Sequence, residues 1–156
     1  MKTNNNEQKR SYAGSVYVSN GNVYVAGWED NAQGTPVATL WKNGVAQRLT
    51  DGTRMSEAHS VFVLDTDVYV AGVESNTQQI AIAVIWKNGN IQYLTDGIRK
   101  AEAHSVYVSN NNIYVAGWEF NTPLSRYAVI WKNGVIYRLT DGVSSCCATY
   151  KYSENF

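Results

Sequence analysis

The sequence predicts an all-β protein built from three copies of one four-stranded unit. Three observations point to this class. The chain repeats itself every 45 residues, its apolar segments alternate with the two-residue period of a strand, and Gly- and Asn-containing turn signals separate those segments. No segment of useful length shows a helical period. The fold class therefore follows from repetition and alternation together.

The repeat is strict, with no insertion or deletion between copies. Trp41, Trp86 and Trp131 each begin the string Trp-Lys-Asn-Gly, and they are spaced 45 residues apart. The same interval relates the Val-Ala-Gly strings at 25–27, 70–72 and 115–117, and the Leu-Thr-Asp-Gly strings at 49–52, 94–97 and 139–142. A repeat at fixed period indicates a tandem array. The predicted organisation is a polar extension at 1–12, repeats at 13–57, 58–102 and 103–147, and a terminal segment at 148–156.

The first copy shows how each element is predicted. Its β-branched and aromatic residues alternate in four short runs, which we expect to be strands at 15–19, 23–29, 37–41 and 45–50. A polar loop at 30–36 joins the second run to the third. Asn43-Gly44 predicts a tight hairpin before the fourth run, because Asn-Gly readily adopts the positive φ angles of a type I′ turn. Asp51-Gly52 then ends the unit.

Four strands in about 45 residues is the size of a β-propeller blade. The chain resembles β-propeller repeat proteins over residues 13–147, above all bacterial repeats that carry V-Y-V-A-G, W-K-N-G and L-T-D-G, as at 23–27, 41–44 and 49–52. It is distantly similar to WD40 units, with His59-Ser60 and His104-Ser105 where a WD40 blade has Gly-His. It departs from that family because Trp41 is followed by Lys42, not Asp. A solenoid or a β-sandwich is the structural alternative.

Three blades are too few to close a ring. Propellers usually have 4–8 blades, and an open arc leaves an apolar face uncovered at each end, which soluble monomers rarely tolerate. Two copies related by a two-fold axis would complete six blades. We therefore expect a homodimer that forms a six-bladed propeller. The segment 148–152 is in register with 103–107, and it is either the start of a degraded fourth repeat that covers an open edge or a frayed terminus.

Composition and charge exclude several classes of function. Thirteen basic and thirteen acidic residues give zero net charge, which argues against nucleic acid and anionic membranes as partners. No apolar run approaches the ~18 residues of a membrane span, and the polar residues 1–10 lead us to expect no secretory signal, so the compartment stays open. Cys146 and Cys147 are adjacent, and there are only two histidines. We therefore expect no disulfide framework, no metal site and no cofactor.

Aromatic residues beside carboxylates suggest a ligand surface. Trp28-Glu29 recurs as Trp118-Glu119, whereas Val73 precedes Glu74 in the middle copy. A repeated aromatic-carboxylate pair could stack on a sugar ring and accept bonds from its hydroxyls, which resembles the lectin propellers of the tachylectin type. The alternative is that the tryptophans pack between blades while the glutamates lie at strand ends.

The two histidines allow two interpretations. His59 and His104 stand at the start of their copies, where the first copy has Gly14. A histidine near a channel mouth can act as a general base. In WD40-like blades it instead bridges through serine, here Ser60 or Ser105, to a tryptophan of the third strand. We expect the bridge.

The function predicted from these residues is a non-catalytic scaffold or binding module for a protein or a glycan. Near-identical copies present identical sites, whereas catalysis needs different residues brought together asymmetrically. The variable loops at 30–36, 75–80 and 120–125 are the expected binding elements. The alternative is a hydrolase or lyase acting on a saccharide, with Glu29, Glu74 and Glu119 as carboxylates and His59 or His104 as base. Because the module interpretation is favoured, no catalytic residue is assigned.

Overall fold

A computed structural model of the chain describes residues 9–123 and 125–141. These residues form twelve strands and no helix, so none of them belongs to a helix that is long and apolar enough to cross a membrane. The strands are β1 Ser11–Ser19, β2 Asn22–Asp30, β3 Pro36–Lys42, β4 Val45–Arg48, β5 Ser56–Leu64, β6 Asp67–Ser75, β7 Ala81–Lys87, β8 Asn90–Tyr93, β9 Ala101–Ser109, β10 Asn112–Thr122, β11 Ser125–Lys132 and β12 Val135–Arg138. Cys146, Cys147 and the segment 148–156 lie outside the described residues.

The strands form three separate four-stranded antiparallel sheets. The first sheet contains β1–β4, the second β5–β8 and the third β9–β12, and within each sheet neighbours in sequence are neighbours in space. The predicted all-β class with three four-stranded antiparallel units is therefore confirmed.

Two predicted strand boundaries were wrong, for identifiable reasons. β1 begins at Ser11, four residues earlier than expected, because a β-bulge at Gly14 interrupts the alternation: Ala13 pairs with Gly27 and Ser15 pairs with Ala26. β4 ends at Arg48, two residues early, where the chain leaves for the next sheet. The amide of Leu49 still donates to the carbonyl of Ala38 at 2.8 Å, but Leu49 is buried between sheets.

The hairpin prediction is confirmed. Asn43 and Gly44 have φ angles of 50° and 81°, and the equivalent pairs at 88–89 and 133–134 also have positive φ at both positions. The side chain of Asn43 adds a reason for asparagine at this position, because its Oδ1 accepts a bond of 2.9 Å from the amide of Val23. The turn is therefore tied to the neighbouring hairpin of the same sheet.

The hydrophobic core lies between the sheets. We call the side of each sheet that faces the preceding one its leading face, and the opposite side its trailing face. The trailing face of the first sheet, with Tyr24 and Leu40, packs against the leading face of the second, with Val61 and Trp86. The second and third sheets repeat this contact with Tyr69, Ile85, Val106 and Trp131. Each core therefore consists of one trailing and one leading face.

Within residues 9–123 and 125–141, no sheet packs against the leading face of the first sheet or the trailing face of the third. Val16 is 64% exposed, whereas its equivalents Val61 and Val106, which face a preceding sheet, are 4% and 5% exposed. At the other end Leu139 is 47% exposed, whereas Leu49 is 8% exposed. One copy of the chain therefore presents two apolar surfaces whose equivalents elsewhere in the same chain are core.

Candidate functional site

The first strands of the three sheets lie side by side. The amide of Val61 on β5 donates to Ser15 Oγ on β1 at 3.2 Å, and the amide of Val106 on β9 donates to Ser60 Oγ on β5 at the same distance. In each of these strands the pairing register shifts just before the serine, which marks a β-bulge. These contacts place the three bulges next to one another, and they are the reason the two histidines meet.

His59 and His104 occupy the bulges of the second and third sheets. Their rings stack with centroids 5.0 Å apart and planes inclined by 8°. A bulge takes its residue out of the strand pairing and redirects the side chain. The rings of His59 and His104 therefore do not point into the leading or trailing face of their sheets. The first sheet lacks this side chain, since its bulge residue is Gly14 and the ring of Tyr12 fills the space that a side chain there would take.

Hydrogen bonds orient the His59 ring. Its Nδ1 lies 2.9 Å from the carbonyl oxygen of Ala103, and since a carbonyl only accepts, this nitrogen carries a hydrogen. Its Nε2 faces Glu57 Oε2 at 3.4 Å. The second histidine repeats the latter contact, with His104 Nε2 3.3 Å from Glu102 Oε2. Each imidazole is thus paired with the glutamate two residues before it.

The two imidazoles have opposite pKa shifts. Burial lowers the pKa of His59, but the hydrogen bonds with Glu57 and with the Ala103 carbonyl, helped by the charge of Glu102, outweigh it and raise the pKa above its usual value. Burial also lowers the pKa of His104, and the positive charge of His59 adds to this effect against the opposing Glu102. The opposite directions of the two pKa shifts mean that His59 takes up a proton before His104 as the pH falls.

The expected bridge from histidine through serine to tryptophan is not formed in the second and third sheets. Ser60 Oγ accepts from the amide of Val106 in the next sheet. Trp86 and Trp131 are fully buried, and within the part of the chain that the structure describes their Nε1 atoms have no hydrogen-bond partner. In the second sheet the physical reason is that Ser60 holds this sheet to the next one and does not bond to Trp86.

The candidate carboxylates lie apart from the histidines on the strands that follow. Glu74 is buried on the leading face of the second sheet, where Arg54 lies 3.3 Å away and the hydroxyl of Tyr93 donates to it at 2.7 Å. This contact raises the pKa of Tyr93. Glu119 is paired with Arg138 at 3.6 Å, and Glu29 is half-buried at the equivalent position of the first sheet. Two of the three carboxylates are thus held by arginines.

The candidate tryptophans pack on neighbouring aromatic and arginine side chains. Trp28 stacks on Tyr12 with ring centroids 6.5 Å apart. Trp118 meets Phe120 edge-on at 5.2 Å and has Arg126 over its ring at 5.2 Å. Successive side chains of a strand point to opposite faces, so Trp28 and Glu29 lie on different sides of the first sheet. The suggested tryptophan-carboxylate pair therefore does not form one surface within a sheet.

A cleft of about 440 Å³ lies between the loop of the second sheet, with Ile80, and the end of β10, with Phe120. The predicted loop at 120–125 was wrong in this respect, because β10 continues to Thr122 by pairing with β11. The segment Ile98–Lys100, which sequence reasoning missed, provides another wall, and Ile98 is exposed there. The signal that could have identified this segment is an apolar residue next to Arg99 and Lys100 directly after the Asp96-Gly97 turn.

The convergence of the two histidines was also missed, although the sequence carries a sign of it. The string Glu-Ala-His-Ser occurs at 57–60 and again at 102–105, whereas the first copy has Tyr-Ala-Gly-Ser at 12–15. Neither a scan against protein-family models nor a search of curated proteins finds a match to this chain. Functional conclusions therefore depend on the geometry of its own residues.

Proposed function

We propose that the chain is half of a six-bladed β-propeller, closed as a homodimer, that serves as a non-catalytic scaffold or binding module for a protein or a glycan. The observation that carries the assembly is the exposure of Val16, whose two equivalents are buried. Soluble proteins rarely leave large apolar patches in water. A second copy is the partner that fits best, because its own faces match those that are uncovered.

The two uncovered faces are chemically complementary. Val16 and Trp41 on the leading face of the first sheet correspond to residues that pack against a trailing face in each of the two contacts within the chain. Tyr114 and Ile130 on the trailing face of the third sheet correspond to residues that pack against a leading face. A contact between copies would therefore repeat the contact between sheets. Two such contacts, related by a two-fold axis, close the ring.

The paired carboxylates support a binding role over a catalytic one. Catalytic acids need a free proton-transfer position near substrate, whereas Glu74 is buried with Arg54 and Tyr93. One observation favours the alternative, a saccharide-acting hydrolase or lyase: His59, His104 and Glu102 converge at the bulges. None of the three candidate carboxylates, Glu29, Glu74 and Glu119, belongs to that cluster.

The cleft between the loops is the proposed ligand surface. It combines the apolar side chains of Ile98 and Phe120 with the cations of Arg99 and Lys100. Loops on a rigid sheet scaffold are common binding elements, and apolar clefts with a few polar groups are typical ligand sites. The Trp118 ring meets Phe120 edge-on, so its fluorescence would report on an occupied cleft.

A glycan array read with tryptophan quenching tests this surface. We expect saturable binding, and Phe120→Ser should weaken it at least about tenfold, since it removes an aromatic contact worth more than ~1.4 kcal/mol. Serine suits the site structurally because Ser75 occupies the equivalent position of the second sheet. Val135→Ser on the exposed outer strand β12 is the matched control and should leave the affinity unchanged.

The outcomes separate the two functions. Binding without consumption of the glycan supports the module. Turnover of a saccharide that His104→Ala abolishes would contradict it and support the enzyme. A monomeric mass without glycan binding would contradict both the glycan ligand and the homodimer. A mass of about twice 17.4 kDa without glycan binding would contradict only the glycan and would leave a protein as the ligand.

A further inference from the structure

We propose that His59, His104 and Glu102 form a binding site for one divalent transition-metal ion, with zinc as its natural probe. The site lies where the bulges of β5 and β9 meet, between the second and third sheets. It goes beyond the proposed binding function and does not depend on ring closure, because all three ligands belong to one chain.

The first argument is the donor set. One ligand atom from each of the three side chains lies within 4.8 Å of the other two. Two imidazole nitrogens and one carboxylate oxygen, with an open fourth position, form the ligand set of many zinc sites in which water or substrate completes the tetrahedron. Zinc bonds of about 2.0–2.2 Å require the side chains to draw closer. His104 is exposed and Glu102 half-buried, so both have room to move.

The second argument is the hydrogen bond behind His59. The Ala103 carbonyl lies 2.9 Å from Nδ1 and holds the hydrogen there, so the lone pair of a neutral ring lies on Nε2, the nitrogen left to bind a metal ion. A backbone carbonyl in this position is the usual outer partner of a metal-binding histidine, because it fixes both tautomer and ring orientation. Residues 102–104 thus provide the orienting carbonyl of Ala103 and, on either side of it, the ligands Glu102 and His104.

The third argument is the position of the carboxylates around the two rings. Carboxylate oxygens face both Nε2 atoms, at 3.4 Å in Glu57–His59 and at 3.3 Å in Glu102–His104. A proton on Nε2 joins each pair separately, whereas one metal ion can bind both histidines and a carboxylate at once. Glu57 Oε2 is a second carboxylate oxygen beside His59.

The first sheet provides an internal comparison. Tyr12 and Gly14 replace the glutamate and histidine of the other copies, and the Tyr12 ring fills the bulge. The two donors are therefore lost together in the first copy and retained together in the other two. The proposed stoichiometry is one ion per chain.

The experiment is a titration of tag-free protein with Zn²⁺ by calorimetry, repeated with Co²⁺ to record the visible absorption of the bound ion. Vicinal thiols also bind zinc, so every variant carries Cys146→Ser and Cys147→Ser. We expect one ion per chain. His59→Ala and His104→Ala should each weaken binding about 100-fold or more, because they remove a ligand, and loss of an outer partner alone costs about 10- to 100-fold. Glu29→Gln in the first sheet is the control and should bind zinc as the parent does.

The decisive comparison is with the doubly substituted protein that carries both histidine changes. Zinc binding that survives in the double variant, or parental binding no tighter than that of the double variant, would overturn the proposal. The circular dichroism and unfolding midpoint of each metal-free variant show whether it still folds, and His104→Gly provides a second variant with the residue of the first copy. We expect the mass in solution to be the same with and without a chelator, because the zinc site does not depend on ring closure. This measurement therefore separates failure of the zinc site from failure of the ring.

Discussion

At the scale of single residues, the Arg10–Asp30 pair ties the start of the first strand to the end of the second. Arg10 Nε lies 2.8 Å from Asp30 Oδ2, and the amide of Arg10 donates to the same oxygen at 3.2 Å. The side-chain hydrogen bond from Arg10 is the main cause that lowers the pKa of Asp30, and its backbone bond adds to it against burial. Serine and phenylalanine stand at the equivalent positions 75 and 120, so this pair is particular to the first copy.

Asp30→Asn should therefore destabilise the protein in a pH-dependent way. A carboxyl whose pKa is lower in the folded state contributes stability above its unfolded pKa of about 3.9, and this contribution is lost as the pH falls through the lower folded value. We expect the variant to unfold at lower urea concentration than the parent at pH 7, and the difference to shrink below about pH 4. An equal difference at pH 7 and at pH 2 would show that the charge is not responsible.

Residues whose conformation is set by their sequence neighbours could be predicted. The positive φ of Asn43 and Gly44 follows from a dipeptide, and the structure confirms it. The contact of His59 with His104 could not be predicted in the same way, because it arises from packing of one sheet on the next and from bulges that alternation does not reveal. Packing also leaves Nε1 of Trp86 without a hydrogen-bond partner among the residues that the structure describes, and here the likeness to WD40 blades gave a wrong prediction.

At the scale of elements, each bulge faces a glycine on the neighbouring strand. A Cβ at Gly72 on β6 would run into the carbonyl oxygen of Glu57 and would lie 2.9 Å from the Trp86 ring. Gly27 and Gly117 have the same relation to the carbonyls of Tyr12 and Glu102. The close approach of the bulged strand therefore explains why the Val-Ala-Gly string ends in glycine in all three copies. It also explains why the first strand of each sheet is longer than alternation predicts.

Gly72→Ala should lower the free energy of unfolding by about 1–3 kcal/mol, the usual cost of overpacking a core, because neither the carbonyl nor the buried ring can move freely. Urea denaturation measures the change. Gly21→Asn is the matched control: the equivalent turn residue of the third sheet is Asn111, which has a φ of 60°, so asparagine should cost little. An unfolding midpoint for Gly72→Ala equal to that of the control would mean that the strands separate at little cost.

At the scale of the whole molecule, the proposed ring depends on two uncovered faces. Val16→Asp places a charge on the leading face of the first sheet and should convert a protein of about twice 17.4 kDa into a monomer. Val45→Asp makes the same change on the outer strand β4, where the side chain is 71% exposed, and should leave the mass unchanged. Light scattering at micromolar concentration measures both. A monomeric parent protein would contradict the assembly.

Mixing variants tests whether the contact joins unlike faces. Ala128→Arg charges the trailing face of the third sheet and should also give a monomer. In a mixture of this variant with Val16→Asp, one of the two contacts of the ring is unaltered, so we expect a weaker dimer to return. No recovery on mixing would indicate that like faces pair.

The uncovered leading and trailing faces have the same chemistry as the packed ones, and this has a geometric consequence. In the proposed ring, each packed pair of sheets would set the rotation from one sheet to the next, and this rotation, not the length of the polypeptide, would determine how many sheets complete the ring. A sheet packs against the same kind of face whether the neighbouring sheet belongs to its own chain or to a second copy. Two copies joined end to end by a sufficiently long linker should therefore form the same proposed ring as two free copies. Because the joined copies are one molecule, closure of that ring should not depend on the protein concentration.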